Sequence, residues 1–222
     1  GRLQEELSAL TAKFEENILD ATDAWELILD DASRLAGLPE SALQNLKTEH
    51  GYRLNLQAPC YIAILTHATD RALRETLYTA YVTRASDQGD LQFDNSQALF
   101  AILSVRQQLA QLLGFAHYSD YSLATKMANS SNEVLDFLNH LLLKAKPFAE
   151  QDMAALTTFA EKQGFSQAFA PWDIAYYSEQ FKKAQFAIDD EQLRVYFPIE
   201  SVLKGLFEVC RRLYGLQFEA CP

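Results

Sequence analysis

The chain has 222 residues, 49% of them apolar, so it is long enough to bury a substantial core as one domain or two closely packed lobes. Nineteen Lys and Arg against 30 Asp and Glu give a net charge of −11, which argues against nucleic acid and anionic membranes as partners, because both attract concentrated basic surfaces. Three cysteines without a C-x-x-C pair, and an N-terminus without an apolar signal-peptide core, predict a reduced, cytoplasmic protein.

The first part of the chain is predicted to be helical with one extended segment. Apolar residues spaced by three or four over residues 3–35 predict one long helix, which Gly37 and Pro39 should end. A second helix is predicted over residues 40–49. Polar and apolar residues then alternate over 52–57, which predicts one short strand or extended segment.

Two helices with clear start signals follow. Pro59 should begin a helix that runs to Ala68, because proline suits the first helical turn. Asp70 should cap a helix over residues 71–85. The polar segment 86–94 is predicted to be a loop.

The next predicted helices are bounded by an aspartate, a glycine and a capping box. Asp94 should cap a helix that runs to Leu113 and that Gly114 ends. A short helix is predicted over residues 123–127. Residues 130–133 then form an S-x-x-E capping box before an apolar run, which predicts the start of a long helix.

A proline is expected to distort that long helix. Pro147 cannot donate a backbone hydrogen bond, so the helix should kink there, resume over residues 159–164 and give way to a loop over 163–170. The Pro-Trp-Asp sequence at 171–173 is a helix-start signal, because proline suits the first turn and aspartate favours the positive helix end.

The end of the chain is predicted to hold one more helix and a strand. Asp189 and Asp190 should restart a helix that Pro198 interrupts. Apolar residues recur at helical spacing over 203–214, which predicts one buried stripe. The alternation over 216–220 is typical of a strand.

Together these elements predict an all-α fold that is mainly helical, with at most one or two short strands. We expect residues 1–222 to form a single helical region, with possible sub-lobes at 1–90 and 91–222. No period of 20 to 50 residues recurs, so the sequence does not indicate a repeat protein.

Two histidine–aspartate pairs are candidate metal ligands. His67 with Asp70, and His117 with Asp120, lie three residues apart and could each offer two ligands. A capping aspartate beside a surface or partly buried histidine explains each pair as well. A zinc site needs three or four protein ligands, so neither pair alone predicts one.

Several collinear segments carry a resemblance to a known family. They include LAQLLGF, SLATKMA and EVLDFL in the middle of the chain, and PWDIAYYSE, DEQLRVYFP and GLFEV…LYG towards its end. Together they resemble the thimet oligopeptidase family of zinc metallopeptidases, and the resemblance covers nearly the whole chain.

The resemblance implies a mainly helical, cytoplasmic enzyme that hydrolyses short peptides in a deep channel, where zinc activates the attacking water. In that family an HExxH helix and a downstream glutamate hold the zinc. The four histidines here are His50, His67, His117 and His140, so no HExxH is present. We therefore expect this chain to be the N-terminal and middle part of a larger peptidase, with no catalytic residue, no bound zinc and no activity of its own.

Four residues at the Pro-Trp-Asp helix start are candidates for a wall of the substrate channel. An aromatic cluster with a carboxylate could contact a peptide backbone, whereas a simpler interpretation is that the rings pin the helix start to the core. These residues are Trp172, Asp173, Tyr176 and Tyr177.

A second hypothesis belongs to a different class. The chain could be a stand-alone helical module that binds peptides or proteins without catalysis. Under the first hypothesis, helices that should face the rest of a peptidase would expose apolar surface, so the isolated chain is expected to self-associate.

Overall fold

The computed structural model describes residues 1–187, 193 and 195–219 and is mainly helical, as predicted. The chain divides into two compact units, Gly1–Glu179 and Gln180–Pro222. The elements of the described residues are, in chain order, α1 (Arg2–Ala24), β1 (Glu26–Leu29), α2 (Glu40–Leu46), β2 (Lys47–Thr48), β3 (Gly51–Asn55), α3 (Ala58–His67), α4 (Arg71–Thr83), α5 (Ser96–Leu112), α6 (Tyr118–Leu123), α7 (Ser131–Lys162), α8 (Pro171–Phe186) and α9 (Ile199–Tyr214), with 3-10 turns at Ser33–Leu35 and Leu91–Phe93.

A small antiparallel sheet of order β1-β3-β2 lies in the first unit. The predicted strand at 52–57 is confirmed as β3, but the limit of one or two strands is wrong, because β1 and β2 pair with it on either side. The first helix ends at Ala24 instead of continuing to residue 35. Residues 26–29 fit a helical and a strand pattern equally well, and pairing with β3 decides in favour of the strand.

The same pairing shortens the second predicted helix. α2 ends at Leu46 instead of residue 49, because Lys47 and Thr48 pair with Tyr52 and Gly51 of β3. These partners lie only five and three residues further along the chain, so a tight hairpin replaces the end of the predicted helix.

The core of the first unit consists of a large cluster and a small one. The large cluster joins the sheet to α2, α3 and α4, and its buried side chains are Leu29, Leu35, Leu38, Leu46, Leu54, Cys60, Ile64, Leu65, Ala68, Leu73 and Leu77. The small cluster consists of Ala21, Ala85 and Phe93 and joins the end of α1 to the loop after α4. α1 also packs along α5.

Two of the predicted helix starts are confirmed in atomic detail. The Asp70 carboxylate accepts a hydrogen bond from the Leu73 amide at 3.0 Å, which caps α4. The Ser130 hydroxyl accepts one from the Glu133 amide at 3.2 Å, which caps α7. The Glu133 carboxylate returns to the amide of Asn129 at 2.7 Å, one residue before the cap.

The boundaries of α5 differ slightly from the prediction. Its N-cap is Asn95, one residue later than predicted, while the Asp94 carboxylate accepts a hydrogen bond from the Ser96 amide at 2.9 Å. Gly114, predicted as the stop, follows the helix with a φ of +84°, a conformation that glycine adopts without steric cost. The next helix, α6, covers 118–123 and not 123–127.

The long helix α7 runs without interruption from Ser131 to Lys162 with Pro147 inside it. Residues 159–162, where the helix was expected to resume, belong to this same helix, and the kink at Pro147 stays a prediction. The loop over 163–170 and the helix start at Pro171 are confirmed.

The second unit contains α9, whose apolar residues share one face as predicted. That face is not buried, since the exposed fractions of Leu203, Leu206 and Leu213 are 41%, 53% and 68%. Periodicity shows which residues share a face but not whether another element covers it. Residues 216–219 form no strand among the described residues, and the predictions for Asp189, Asp190 and Ala220 lie outside them.

Candidate channel-wall site at the start of helix α8

The four candidate residues occupy the first two turns of α8, which the Asp173 carboxylate helps to begin. It lies in the first turn and accepts a hydrogen bond from the backbone amide of Ala170, just before the helix, at 3.0 Å. This bond satisfies an N–H group at the helix entrance, as the acidic residue of a capping box does.

Asp173 is also the centre of a buried ion cluster. Arg71 binds its two oxygens through Nε and Nη2, at 2.9 to 3.2 Å, and Arg74 Nη2 binds Oδ1 at 2.9 Å. The exposed fraction of Asp173 is 0% and that of Arg74 is 2%. Arg71 and Arg74 lie three residues apart on α4, so both point to the same side of that helix.

The two arginines also hold the segment that enters α8. Arg71 donates from Nη1 to the Gln167 side chain at 2.7 Å and from Nη2 to the Ala168 carbonyl at 3.2 Å. Arg74 donates from Nε to the Trp172 carbonyl at 3.0 Å. The loop before α8 and its first turn are thus fixed on the start of α4.

The cluster keeps Asp173 ionised. Burial alone would raise the pKa of its carboxyl, but hydrogen bonds from Arg71, Arg74 and the Ala170 amide outweigh burial and lower it. With both oxygens already bound, this carboxylate is neither a base nor a metal ligand in this arrangement. Its role in the described residues is to position the start of α8.

Aromatic rings surround the cluster. The guanidinium of Arg71 lies 5.4 Å from the ring centre of Trp172, and that of Arg74 lies 4.3 Å from that of Tyr176. Tyr177 packs on Phe165 at 5.1 Å and stands edge-on to Tyr176, also at 5.1 Å. Burial raises the pKa of Tyr177, so its hydroxyl stays protonated at neutral pH.

The structure brings the four candidates together but gives them different surroundings. Asp173 is fully buried and does not reach solvent. Trp172 packs against the large core cluster and, at 5.8 Å, against Tyr78. Tyr176 and Tyr177 are half-buried. Trp172 is half-buried as well, and the role of these residues as a channel wall stays a prediction.

Arg71 and Arg74 were not identified from the sequence. Arg74 lies beside Leu73 and three residues before Leu77 on the buried face of α4, and all three are at most 2% exposed. A charged residue in a buried stripe must find a partner of opposite charge, because an unpaired buried charge is costly. That signal was available, but it does not show which carboxylate provides the pairing.

Among the described residues, neither histidine–aspartate pair belongs to a group of three possible metal ligands. The Asp70 carboxylate caps α4 and also binds Arg34 Nε at 2.6 Å, and the Asp120 carboxylate accepts from the Ser131 hydroxyl at 3.3 Å. Within the described ranges, no three His, Cys, Asp or Glu side chains are grouped closely enough to hold a metal ion.

Comparison with known proteins gives a consistent picture over almost the full length. The family model described as "Peptidase family M3" matches residues 64–222. Oligopeptidase A of Haemophilus influenzae is 45% identical over 98% of this chain, and that of Escherichia coli is 46% identical over 97%. A probable cytosolic oligopeptidase A of Arabidopsis thaliana is 36% identical over 97%.

The matched region is only part of each relative. It covers 33% of the two bacterial proteins and 32% of the plant protein, so the chain spans about a third of their length. Among the helices described here, none is both long and apolar enough to cross a membrane.

Proposed function

The chain belongs to peptidase family M3, and we propose that the whole protein hydrolyses short peptides and that this chain is a helical, non-catalytic part of it. The observation that carries the proposal is the identity of 45% to 46% with bacterial oligopeptidase A over almost the whole chain. We also propose a cytoplasmic location, supported by the odd number of cysteines and by the name of the cytosolic plant relative.

The residues present do not fit a catalytic zinc ion. The sequence contains no HExxH, and the described side chains offer no group of three ligands. We propose that zinc belongs to the parent enzyme and that its ligands lie outside this chain. The contribution of these residues is then to build and position part of the peptide channel.

We propose that the start of α8 forms part of that channel. Arg71 and Arg74 hold the helix entrance through Asp173, so Tyr176 and Tyr177 are carried on a fixed turn. Aromatic side chains fixed in this way provide flat apolar contact at low entropic cost, which suits peptides of varied sequence.

The proposal is tested by comparing this chain with the product of the complete gene. Zinc content is measured by mass spectrometry, and cleavage is measured with an internally quenched peptide, with and without 1,10-phenanthroline. We expect the gene product to hold about one zinc ion and to lose cleavage on chelation. We expect this chain to hold no zinc and to cleave nothing.

Two outcomes would overturn the proposal. One zinc ion in this chain, lost together with cleavage on chelation, would place the active site here. The peptidase function would be contradicted if the complete gene product cleaved no peptide and its reading frame contained no HExxH. The helical binding module would then be the better account.

The channel-wall role has its own test in the complete gene product. Tyr176→Ala and Tyr177→Ala should each raise KM for the peptide by roughly fivefold, as expected for losing about 1 kcal/mol of aromatic contact. The control is Tyr121→Ala, since Tyr121 also packs on aromatic rings, Phe115 and Tyr118. Equal KM changes in all three variants, with unaltered thermal stability, would contradict the assignment.

A further inference from the structure

The first unit contains a cavity of about 430 Å³ that is separate from the start of α8. It lies between the end of α1, the strand β1 and the loop that follows α4. Its lining includes Trp25, Leu56, Ala80, Arg84, Gln88 and Phe93. The volume falls in the range of about 300 to 1,000 Å³ that is usual for small-molecule sites.

One side of this cavity carries the cation Arg84, for which the described residues provide no counterion. Arg84 is half-buried, its guanidinium lies 3.7 Å from the ring centre of Tyr81, and its Nη1 donates to the Tyr81 carbonyl. Its Nε is buried, and no acceptor for it exists within the part of the chain that the structure describes. Arg84 also forms no ion pair with the described carboxylates.

The two acidic residues of the lining, Glu26 and Asp90, both make other contacts among the described residues. The Glu26 carboxylate binds Arg53 Nε at 2.8 Å, and the Asp90 carboxylate accepts from the Gln92 amide at 3.0 Å. A partly desolvated guanidinium without a carboxylate is unfavourable, and an anion entering the cavity would relieve that cost. Arg84 therefore favours a carboxylate ligand, which a guanidinium binds through two parallel hydrogen bonds.

The backbone beside Arg84 is held in a strained conformation. Ala85 has a φ of +53°, in the left-handed region that residues with a side chain rarely occupy. Its carbonyl accepts from the Asn95 amide at 3.1 Å, and the Asn95 side chain is fixed by the buried Asn17 at 2.9 Å. Strain of this kind persists only where surrounding contacts impose it, and it is concentrated at functional sites.

Several of the remaining lining residues are apolar. Phe93 and Leu56 are buried, Trp25 packs against the large core cluster, and Ala80 is small enough to leave space. A ligand could place a ring or a branched alkyl group here while its acid group meets Arg84. The cavity thus combines an apolar wall with one cation, as in sites for small amphipathic acids.

We propose that this cavity binds a small apolar carboxylate, with the acid group on Arg84 and the apolar group against Trp25 and Phe93. The class includes single amino acids with a blocked amine and the C-terminal residue of a short peptide. The proposal does not depend on the peptidase function, because the residues it rests on lie outside the candidate site at the start of α8.

The test is a titration of the full chain with N-acetyl-L-phenylalanine, followed by the NMR signals of the Trp25 indole N–H and the Arg84 Nε–H. The matched probe is N-acetyl-L-phenylalanine amide, which lacks the charge. We expect saturable binding of the acid and binding of the amide that is weaker by about tenfold or more. This comparison requires no variant.

Two variants locate the binding. Arg84→Gln should weaken binding of the acid by about tenfold or more and leave binding of the amide unchanged. The control is Arg106→Gln, because Arg106 also lies over a tyrosine ring, that of Tyr118, and also has a buried Nε without a described partner, but it does not line the cavity.

Three results would overturn the proposal. They are equal binding of acid and amide, unchanged acid binding in Arg84→Gln, and no saturable binding up to about 10 mM. Thermal unfolding of each variant shows whether it is folded. If Arg84→Gln does not fold, Arg84→Lys keeps the charge and should retain part of the preference for the acid.

Discussion

Removing the Asp173 carboxylate would leave two guanidinium groups without their counterion, and that of Arg74 is almost fully buried. We expect Asp173→Asn to lower the free energy of unfolding by about 3 to 5 kcal/mol, the range for breaking a buried ion pair from one side. The measurement is urea unfolding followed by far-UV circular dichroism.

The control for this variant is an exposed pair of the same chemistry. Glu26 and Arg53 form an ion pair at 2.8 Å with exposed fractions of 49% and 53%. Glu26→Gln should therefore cost less than about 1 kcal/mol. Similar losses in both variants would mean that Asp173 is not the energetic centre of the cluster.

The lowered pKa of Asp173 sets the pH range in which the wild type is more stable than Asp173→Asn. Its carboxyl has a pKa below 3.8 in the folded chain, so its stabilising contribution is fully present above 3.8 and is lost as the pH falls towards the folded pKa. The stability gap between wild type and Asp173→Asn should be constant from pH 7 to about pH 5 and shrink towards about pH 3. Urea unfolding at each pH measures the gap, and a gap that grows on acidification would contradict the assignment.

At the scale of single residues, the sequence predicts which residues start helices but not which charged residues form ion pairs. The starts at Asp70, Ser130 and Pro171 depend on neighbours within three residues, so local pattern is enough to predict them. The partners Arg74 and Asp173 are 99 residues apart. Thirty acidic residues are available in the sequence, and only the fold selects this one.

Among the elements, the sheet depends on one glycine. Gly51 has a φ of +126°, and a Cβ placed on it would lie 2.2 Å from the Leu29 carbonyl oxygen of β1. Gly51→Ala should therefore separate β3 from β1 and lower the free energy of unfolding by roughly 2 kcal/mol or more. Of this loss, about 1 kcal/mol is expected from placing a side chain at a positive φ, and the rest from the clash with Leu29.

Gly114→Ala separates these two causes. Gly114 also has a positive φ, +84°, but no atom lies within 4 Å of its Cβ position. Gly114→Ala should lower the free energy of unfolding by about 1 kcal/mol, because it introduces the unfavourable positive φ without a clash. Equal losses in the two variants, measured by urea unfolding, would show that the contact with Leu29 is relieved by a small shift.

The elements that the sequence predicts least well are those stabilised by distant partners. β1 requires β3, which follows it by more than 20 residues, and the helix-like spacing of residues 3–35 conceals the change at Trp25. β3 itself was predicted because its own alternation is clear. The same holds for the candidate site. Its aromatic residues lie close together in sequence and were predicted, whereas its arginines lie far from them in sequence and were not.

At the scale of the whole molecule, many large apolar side chains of the described residues are exposed. In the first unit, Leu135, Leu138 and Leu142 lie along one side of α7 with exposed fractions of 52% to 58%. Contiguous apolar surface of this kind favours association in water. We expect the isolated chain to self-associate as its concentration rises, measured by sedimentation velocity.

Two substitutions on α7 test the cause. Leu138→Gln together with Leu142→Gln should shift the distribution towards monomer, because both remove exposed apolar area from one face. Lys144→Gln on the same helix is the control and should leave the distribution unchanged. A wild-type chain that remains monomeric at high concentration would contradict the expectation.

The pairing of Arg71 with Asp173 also has a kinetic consequence. These residues are 102 positions apart, so their contact closes a very long loop of chain, and the entropic cost of closure rises with the logarithm of loop length. The contact should form late in folding, after the intervening helices have shortened the path. Asp173→Asn should then accelerate unfolding while leaving the folding rate nearly unchanged, as stopped-flow mixing can measure. The ion cluster would govern how long the folded chain resists opening, and only weakly how fast it forms.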